Sequence, residues 1–365
     1  MNNTPIKFFP PYFIQSHDWM SFWKRTNKNH QFYHYQSQYF STFVFEYKLF
    51  RSFKFWYISK GPIFKDIKFH DLDPNVLKKD LNDLIRLIKK NGAAIHGKKL
   101  VFLKIDLDDV LAKKLEIQNA EDLPRKLQLK NVISKRKIQY LKSTTSDLTE
   151  IIENYKDKEI KIGEEKQEKK LDLTEVYEKT TPFWSACNEK IRRYSRKTLK
   201  LYQAGFWQVS TEKTAGNFED FYKIHSETAK RQNFSTQGKE YLKAMFTEEF
   251  SRIIVIRDES GVPHSVWLGV NLNDQLVYLC GGNTDLSFEK WAQYLLHIAA
   301  IGICVRDKIN FYDMGGYEEK SGYGQFKEGY KGLLRQFIGP IDIVFSPVVY
   351  FFYNNLMKLR RVLRK

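Results

Sequence analysis

Two stretches of the chain carry the same succession of apolar patterns. In the first, "STFVFEYKLF" and "SFKFWYISKGP" are dense in aromatic and β-branched residues, the signature of adjoining strands, and the second closes on a Gly-Pro turn. The next segment, "PNVLKKDLNDLIRLIKKNG", places Leu77, Leu81, Leu84, Ile85 and Ile88 on one helical face, with Gly92 as the expected stop. A buried strand, "KLVFLKIDL", follows. In the second stretch, "SRIIVIRD", "SVWLGVNL" and "QLVYLCGGN" read as a meander that ends in glycines. A helix, "SFEKWAQYLLHIAAIGICVRD", and a strand, "INFYDMGG", complete it. Strand, strand, glycine turn, helix and strand thus occur twice, roughly 220 residues apart and without clear residue identity, which predicts a duplicated α/β unit.

Between the copies, "NYKDKEIKIGEEKQEKK" is highly charged and nearly free of apolar residues, so it reads as an exposed linker or hairpin. The domain boundary is placed there, near residue 165: a first domain over 1–165 and a second over 166–337. The closing segment, 338–365, is expected to pack back on the first domain. Within it Phe352, Leu356, Leu359 and Leu363 share a helical face amid Lys358, Arg360, Arg361, Arg364 and Lys365. That pattern suits either a helix docked on the first domain with a solvated basic face or one lying on an anionic membrane surface.

Composition narrows the function. The 365 residues exceed what one core usually holds, and 42% hydrophobic content supports two folded domains. Cys187, Cys280 and Cys304 lie far apart without a CxxC, which argues against a disulfide framework or a zinc ribbon. No run approaches 18 apolar residues, and "MNNTPIKFFPPYF" lacks the features of a secretory signal, so a cytoplasmic protein is expected. Sixty Lys and Arg against 43 Asp and Glu give a net charge of +17, which points to a polyanionic partner, nucleic acid or membrane.

The basic residues concentrate on one predicted helix, "NEKIRRYSRKTLKLY". Lys190, Arg193, Lys197 and Lys200 line one face with Arg192 and Arg196 beside it, a surface suited to nucleic-acid backbone or simply to solvent. GxGxxG after a strand, P-loop, HExxH and GxSxG motifs are all absent, and the eight histidines show no ligand spacing. Metal, hydride and acyl-enzyme mechanisms are therefore disfavoured, and transfer between two bound substrates remains. Lys327, among apolar neighbours in "YGQFKEGYKG", is suited to stabilising an oxyanion in acyl transfer. Asp106 ends the strand "VFLKID", where α/β sheets place functional groups, and Asp313 holds the matching position in the second copy; either could instead cap the next turn.

The order of "FIQSHDW", "YISKGP", "KIRRYSRKTLK", "RQNFSTQGKEY", "VYLCGGN", "FYDMGGYEE", "GYGQFKEGYKG" and "FIGPIDIVFSPVVY" resembles the Fem family of peptidoglycan bridge-forming aminoacyltransferases over nearly the whole chain. The resemblance implies a mixed α/β fold of two tandem acetyltransferase-like (GNAT-type) domains. It implies an enzyme that moves an amino acid from aminoacyl-tRNA to the stem-peptide amine of a peptidoglycan precursor, without metal or acetyl-CoA. Phe326 and Lys327 match the family's Phe-Lys pair, so Lys327 is expected to steady the oxyanion. Asp106 matches the aspartate that orients or deprotonates the acceptor amine. Ser59, Lys60 and Gly61 match the precursor-cleft turn, Ser235 and Tyr241 match polar cleft positions, and Tyr278 lies on the strand that closes the cleft. By the same resemblance the tRNA lies on Lys190, Arg192, Arg193, Arg196 and Lys197. Two positions depart from relatives that use a nucleotide-linked precursor. After the first tryptophan, Trp19, the chain has Trp23 where they carry a lysine, with Lys24 one place later, and Gln237 stands where they carry a diphosphate-binding arginine. These departures favour a lipid-linked precursor, with peripheral contact at the inner membrane face. No heptad run supports the coiled-coil arm of some members. Transfer to another small-molecule or protein amine, and a non-catalytic nucleic-acid or membrane-binding relative, are the competing readings.

Overall fold

The computed structural model describes residues 12–27, 30–127, 129, 132–133, 142–155 and 171–362. The chain divides into two compact units, one of Met1–Leu141 with Gln336–Lys365 and one of Lys142–Arg335. Residue 165, where the charge pattern puts the boundary, lies outside the described residues, as do most of the charged linker and Leu363, Arg364 and Lys365.

In the first unit a mixed sheet runs in the order Phe32–Gln36, Phe40–Lys48, Lys54–Ser59, Leu100–Asp106, Ile341–Val344, Val132–Ile133. Lys54–Ser59 and Leu100–Asp106 are parallel, which requires a crossover, and the helix Pro74–His96 supplies it. Asp73 caps this helix by accepting from the Asn75 amide, and Pro74 sits in its first turn. Its predicted apolar face is buried as expected, with Leu77, Leu81, Leu84, Ile85 and Ile88 at the core. Gly92, however, does not stop it. The helix runs on to His96 and ends at Gly97, and Gly92 is instead a point of close packing, where a Cβ would lie 2.5 Å from Leu100 Cδ2 and 3.0 Å from Trp56.

The C-terminal segment completes this sheet. Asp342 lies opposite Lys104, and the two form a buried ion pair at 3.0 Å. The Tyr350 hydroxyl, from the helix Pro347–Val362, donates to the same carboxylate at 2.6 Å. Tyr350 and Tyr353 pack on Phe102. On the other side of the helix Val348, Phe351, Phe352, Leu356 and Leu359 are exposed, Phe351 at 64% and Phe352 at 63%. No helix among the described residues is long and apolar enough to cross a membrane.

The second unit repeats the plan on its own sheet, ordered Leu333–Gln336, Lys142–Asp147, Phe311–Tyr317, Gln275–Asn283, Pro263–Leu272, Ser251–Arg257, Gln208–Ser210. Gln275–Asn283 and Phe311–Tyr317 form its parallel pair. The crossover helix Ala292–Asp307 is apolar all round and correspondingly buried, held between sheet and helices. The single helix expected here is two, Asp285–Glu289 and Ala292–Asp307, because Trp291 adopts left-handed backbone (φ 61°) between them. Lys142–Asp147 and the helix Thr149–Tyr155 precede residue 165 yet belong to this unit. The strand takes the position beside Phe311–Tyr317 that Ile341–Val344 takes beside Leu100–Asp106.

Candidate functional site

Each unit gathers polar groups where its parallel pair ends. In the first unit pairing runs to Ser59 opposite Asp106, after which the chain turns through Lys60 and Gly61. Lys60 takes left-handed backbone (φ 51°), which brings its Nζ to 2.9 Å from Asp106 Oδ2 and 3.5 Å from the centre of the Phe337 ring. The Tyr57 hydroxyl also donates to Oδ2, at 3.4 Å, while the buried Oδ1 has no hydrogen-bond partner. Burial and then the Asp106 charge push the Tyr57 hydroxyl well above its ordinary pKa, so it remains a donor. Asp106 is therefore a buried carboxylate with one oxygen engaged and the other able to accept one more N–H.

The turn is held from behind by Gln15, a buried amide that no sequence pattern singles out. Gln15 Nε2 donates to the Ser59 carbonyl at 2.7 Å, and its Oε1 accepts from the Phe43 amide at 2.9 Å. A Cβ at Gly61 would lie 2.9 Å from Gln15 Cδ, so the close approach explains the glycine. Gln15 stands inside "FIQSHDW", but neither periodicity nor charge marks a buried amide. Trp19 is buried against Phe13 and Phe22 in an aromatic cluster, and Lys24 is exposed in the last turn of the helix His17–Thr26. Neither is among the groups hydrogen-bonded around Asp106.

In the second unit pairing of the parallel strands stops at Val277 opposite Asp313, although both strands continue. The two part where the register against Lys142–Asp147 also shifts, between Asp313 and Gly316. Gly315 permits this: its φ is 77°, its amide donates to Asp313 Oδ1 at 2.7 Å, and a Cβ would lie 2.8 Å from the Tyr278 carbonyl. The short helix Gly322–Glu328, capped by Ser321, then delivers Lys327 to this place. Lys327 Nζ donates to the Gly316 carbonyl at 2.6 Å, and the residue is only 9% exposed. Burial pulls its pKa down from 10.5 to about 8, against the opposing attraction of buried Asp313. At neutral pH it is still an ammonium, poorly solvated and fixed in place, as an oxyanion partner should be.

Phe326 points the other way, into an aromatic cluster with Tyr294, His297 and Tyr330. Its work is to anchor the helix that carries Lys327. His297, beside it, hydrogen-bonds the Tyr312 hydroxyl at 2.7 Å and is kept neutral, its pKa lowered to about 3 by burial and then by the Lys327 charge. Tyr278 stacks on Trp267. Ser235 and Gln237 are exposed in the loop before the helix Lys239–Thr247, on which Tyr241 is half-buried. A further link is His225, whose ring joins the Gly281 carbonyl at 2.9 Å to the Thr236 hydroxyl at 2.5 Å and so ties this loop to the Tyr278 strand.

The basic helix forms over Glu189–Gln203. Lys190, Arg193, Arg196, Lys197 and Lys200 are exposed, but Arg192 is half-buried and donates to the Ser185 carbonyl at 2.9 Å, which removes it from the free cationic face. The inward face is Ile191, Ser195, Thr198 and Leu199, with Leu201 only partly covered. Tyr194 stacks on Trp291, with Lys197 Nζ 4.6 Å from the Trp291 ring centre and the Arg193 guanidinium 4.8 Å from that of Tyr194. Cations and ring faces thus alternate on one surface. Among the described residues no cluster of His, Cys, Asp and Glu could hold a metal, and the three cysteines are free.

Two mixed α/β units, each built on a parallel pair with a crossover helix and the second with that pair splayed, define the class: a tandem acetyltransferase-like fold. Residues 247–358, which include Tyr278, Phe326 and Lys327, match the model of the FemAB family. FemX is similar over 94% of this chain and 94% of its own, at 14% identity and a TM-score of 0.64. A conserved protein of unknown function from Bacteroides thetaiotaomicron VPI-5482 is similar over 92% of each chain, at 9% identity and a TM-score of 0.53. The C-terminal domain of a protein named as a candidate lysylphosphatidylglycerol synthetase, from Agrobacterium fabrum, is similar over 94% of this chain and 90% of its own, at 10% identity and a TM-score of 0.50. No curated protein gives a match in sequence. The likeness to solved structures establishes the fold, and over residues 247–358 the family match bears out the resemblance drawn from the motifs.

Proposed function

We propose that the protein is an aminoacyltransferase that moves an amino acid from aminoacyl-tRNA to the stem-peptide amine of a peptidoglycan precursor. The observation that carries this reading is Lys327, a buried ammonium held on a backbone carbonyl where two parallel strands part. In the reaction the acceptor amine attacks the ester carbonyl carbon of the charged tRNA. The carbonyl electron pair moves to oxygen, where the Lys327 ammonium stabilises the developing charge. Collapse forms the amide, breaks the ester bond and returns the ribose hydroxyl of the tRNA, with the amine proton balancing the leaving oxygen. Asp106 orients or deprotonates the attacking amine through its open oxygen. Ser59, Lys60 and Gly61 form the acceptor-side turn, and Ser235, Gln237, Tyr241 and Tyr278 contribute polar and aromatic contacts to the precursor.

Lys190, Arg193, Arg196 and Lys197 track the tRNA backbone, with Tyr194 and Trp291 between them as stacking surfaces. A lipid-linked acceptor is favoured, because the helix Pro347–Val362 exposes a run of large apolar side chains that suits work at a membrane face. The test is transfer by the purified protein from charged tRNA to lipid-linked precursor, to nucleotide-linked precursor and to phosphatidylglycerol. Product with the lipid-linked precursor supports the proposal; product with phosphatidylglycerol alone, or none with any acceptor, overturns it.

A further inference from the structure

The first unit contains a second polar site, at the end of its sheet opposite Asp106. The hairpin joining Phe40–Lys48 to Lys54–Ser59 and the end of the helix Pro74–His96 border an open cavity of about 280 Å³ lined by Lys48, Arg51, Ser52, Lys54, Ile95, His96 and Lys99. None of the lining residues is acidic, and four carry permanent positive charge. The sheet register sets Lys48 directly opposite Lys54, a like-charge pair that costs stability. Arg51, at the turn, takes left-handed backbone (φ 51°), a conformation rare for a residue with a side chain. Charge repulsion and backbone strain therefore meet in one five-residue connection.

The back of the cavity is rigid. Buried Glu46 receives Lys54 Nζ at 2.5 Å, His96 Nε2 at 2.7 Å, the Tyr33 hydroxyl at 3.1 Å and Trp56 Nε1 at 3.3 Å. Glu46 thereby fixes Lys54 and His96 in place but offsets only part of the charge. Among the described residues Lys48, Arg51 and Lys99 have no anionic partner. A concave site with one fixed lysine, three further free cations and a serine hydroxyl is complementary to a phosphate oxyanion, which accepts several charged hydrogen bonds at once.

We propose that this cavity is a phosphate-binding site, taking a phosphate group either free or as the headgroup of an anionic phospholipid. The same hairpin connects to the membrane-type feature of this unit: Leu49 and Phe53, which bracket its turn, share a small apolar cluster with Val349 and Tyr353 of the helix that exposes Phe351 and Phe352. A lipid phosphate in the cavity would place a polar anchor on the segment that supports the apolar one.

The test compares the full chain with a Lys48→Gln, Arg51→Gln, Lys99→Gln variant, all three positions exposed and apart from the groups assigned to transfer. Inorganic phosphate binding is measured by calorimetry, and vesicle binding by co-sedimentation with phosphatidylglycerol–phosphatidylcholine mixtures and with pure phosphatidylcholine. Each cation beside an anionic surface contributes about five-fold in affinity, so the variant, which loses three, should bind phosphate about 100-fold more weakly, while its thermal unfolding stays at or above that of the wild type because the Lys48–Lys54 repulsion is gone. A parallel loss on phosphatidylglycerol vesicles assigns the lipid headgroup; a loss confined to inorganic phosphate assigns a soluble ligand. Wild-type protein that binds neither, or a variant that binds both as the wild type does, overturns the site. A Lys48→Glu variant, which changes two charge units at once, should weaken phosphate binding by about 25-fold, and wild-type affinity there would also refute the site.

Discussion

Replacing Lys327 by Met keeps the length and much of the volume of the side chain but removes its charge, and the structure fixes what should follow. Burial lowers the pKa of Lys327 from 10.5 to about 8. At about 1.4 kcal/mol per pH unit, holding the protonated form in the fold costs about 3 kcal/mol. Because the folded pKa lies below the unfolded one, that cost is fully present below pH 8. It is relieved as pH rises from about 8 to 10.5, the window in which the folded chain has released the proton and the unfolded chain has not. Lys327→Met never carries the cost. It does leave the Gly316 carbonyl without its donor, an opposing loss of about 1–3 kcal/mol that does not titrate in this range. The variant should therefore be as stable as the wild type or more so at pH 7, and its advantage should shrink by about 3 kcal/mol between pH 7 and 10.5. Denaturant unfolding at a series of pH values measures this directly. In the same preparation transfer should fall by about 10²–10³, the usual effect of removing one oxyanion partner. In the wild type transfer should decline as pH rises through about 8, because only the ammonium stabilises the oxyanion. A variant that unfolds more easily at pH 7 by several kcal/mol, a stability difference that does not change with pH, or retained turnover would each refute the reasoning.

The other centres make separate predictions. Asp106→Asn preserves shape but removes the carboxylate paired with Lys60, and single-turnover transfer should fall by about 10²–10⁴ while charged-tRNA affinity is unchanged; a loss of tRNA affinity instead would assign Asp106 a different role. Asp342→Ala strands the buried Lys104 ammonium and removes the acceptor of Tyr350, so denaturant unfolding should report a loss of about 3–5 kcal/mol. Exchanging Arg193 and Lys197 for Glu should weaken tRNA binding and reduce its log–log salt slope by roughly 0.7–0.9 for each phosphate that is no longer neutralised, whereas Arg192→Gln, already tied to Ser185, should change the slope little. Phe351→Ser with Phe352→Ser should release the protein from anionic vesicles without lowering its stability, since both rings are exposed; vesicle binding equal to the wild type would exclude this helix as the membrane anchor.

Local pattern was enough to place the elements. The period of Leu77, Leu81, Leu84, Ile85 and Ile88 set the helix and its buried face, and the aromatic and β-branched runs set the strands on either side, because side-chain burial follows directly from these spacings. The duplicated order was legible for the same reason, and so was Lys327 as a lysine among apolar neighbours. What the sequence left open depended on partners distant along the chain. Gly92 looked like a helix stop and proved to be a packing point, since only the positions of Leu100 and Trp56 reveal why a Cβ is excluded. Trp291 broke an expected helix by a backbone angle that no residue type dictates. Lys142–Asp147 left the unit that precedes it to pair with Phe311–Tyr317, because strand pairing is satisfied by hydrogen bonds to a partner far along the chain. The environment of the candidate groups was likewise tertiary. Gln15 behind the Ser59 turn, the Lys60–Asp106 pair and the Gly316 carbonyl beneath Lys327 are all buried polar partnerships. They have no period and no charge excess along the chain, and the low-dielectric setting that shifts Lys327 exists only once its strands, helix and aromatic neighbours have closed around it.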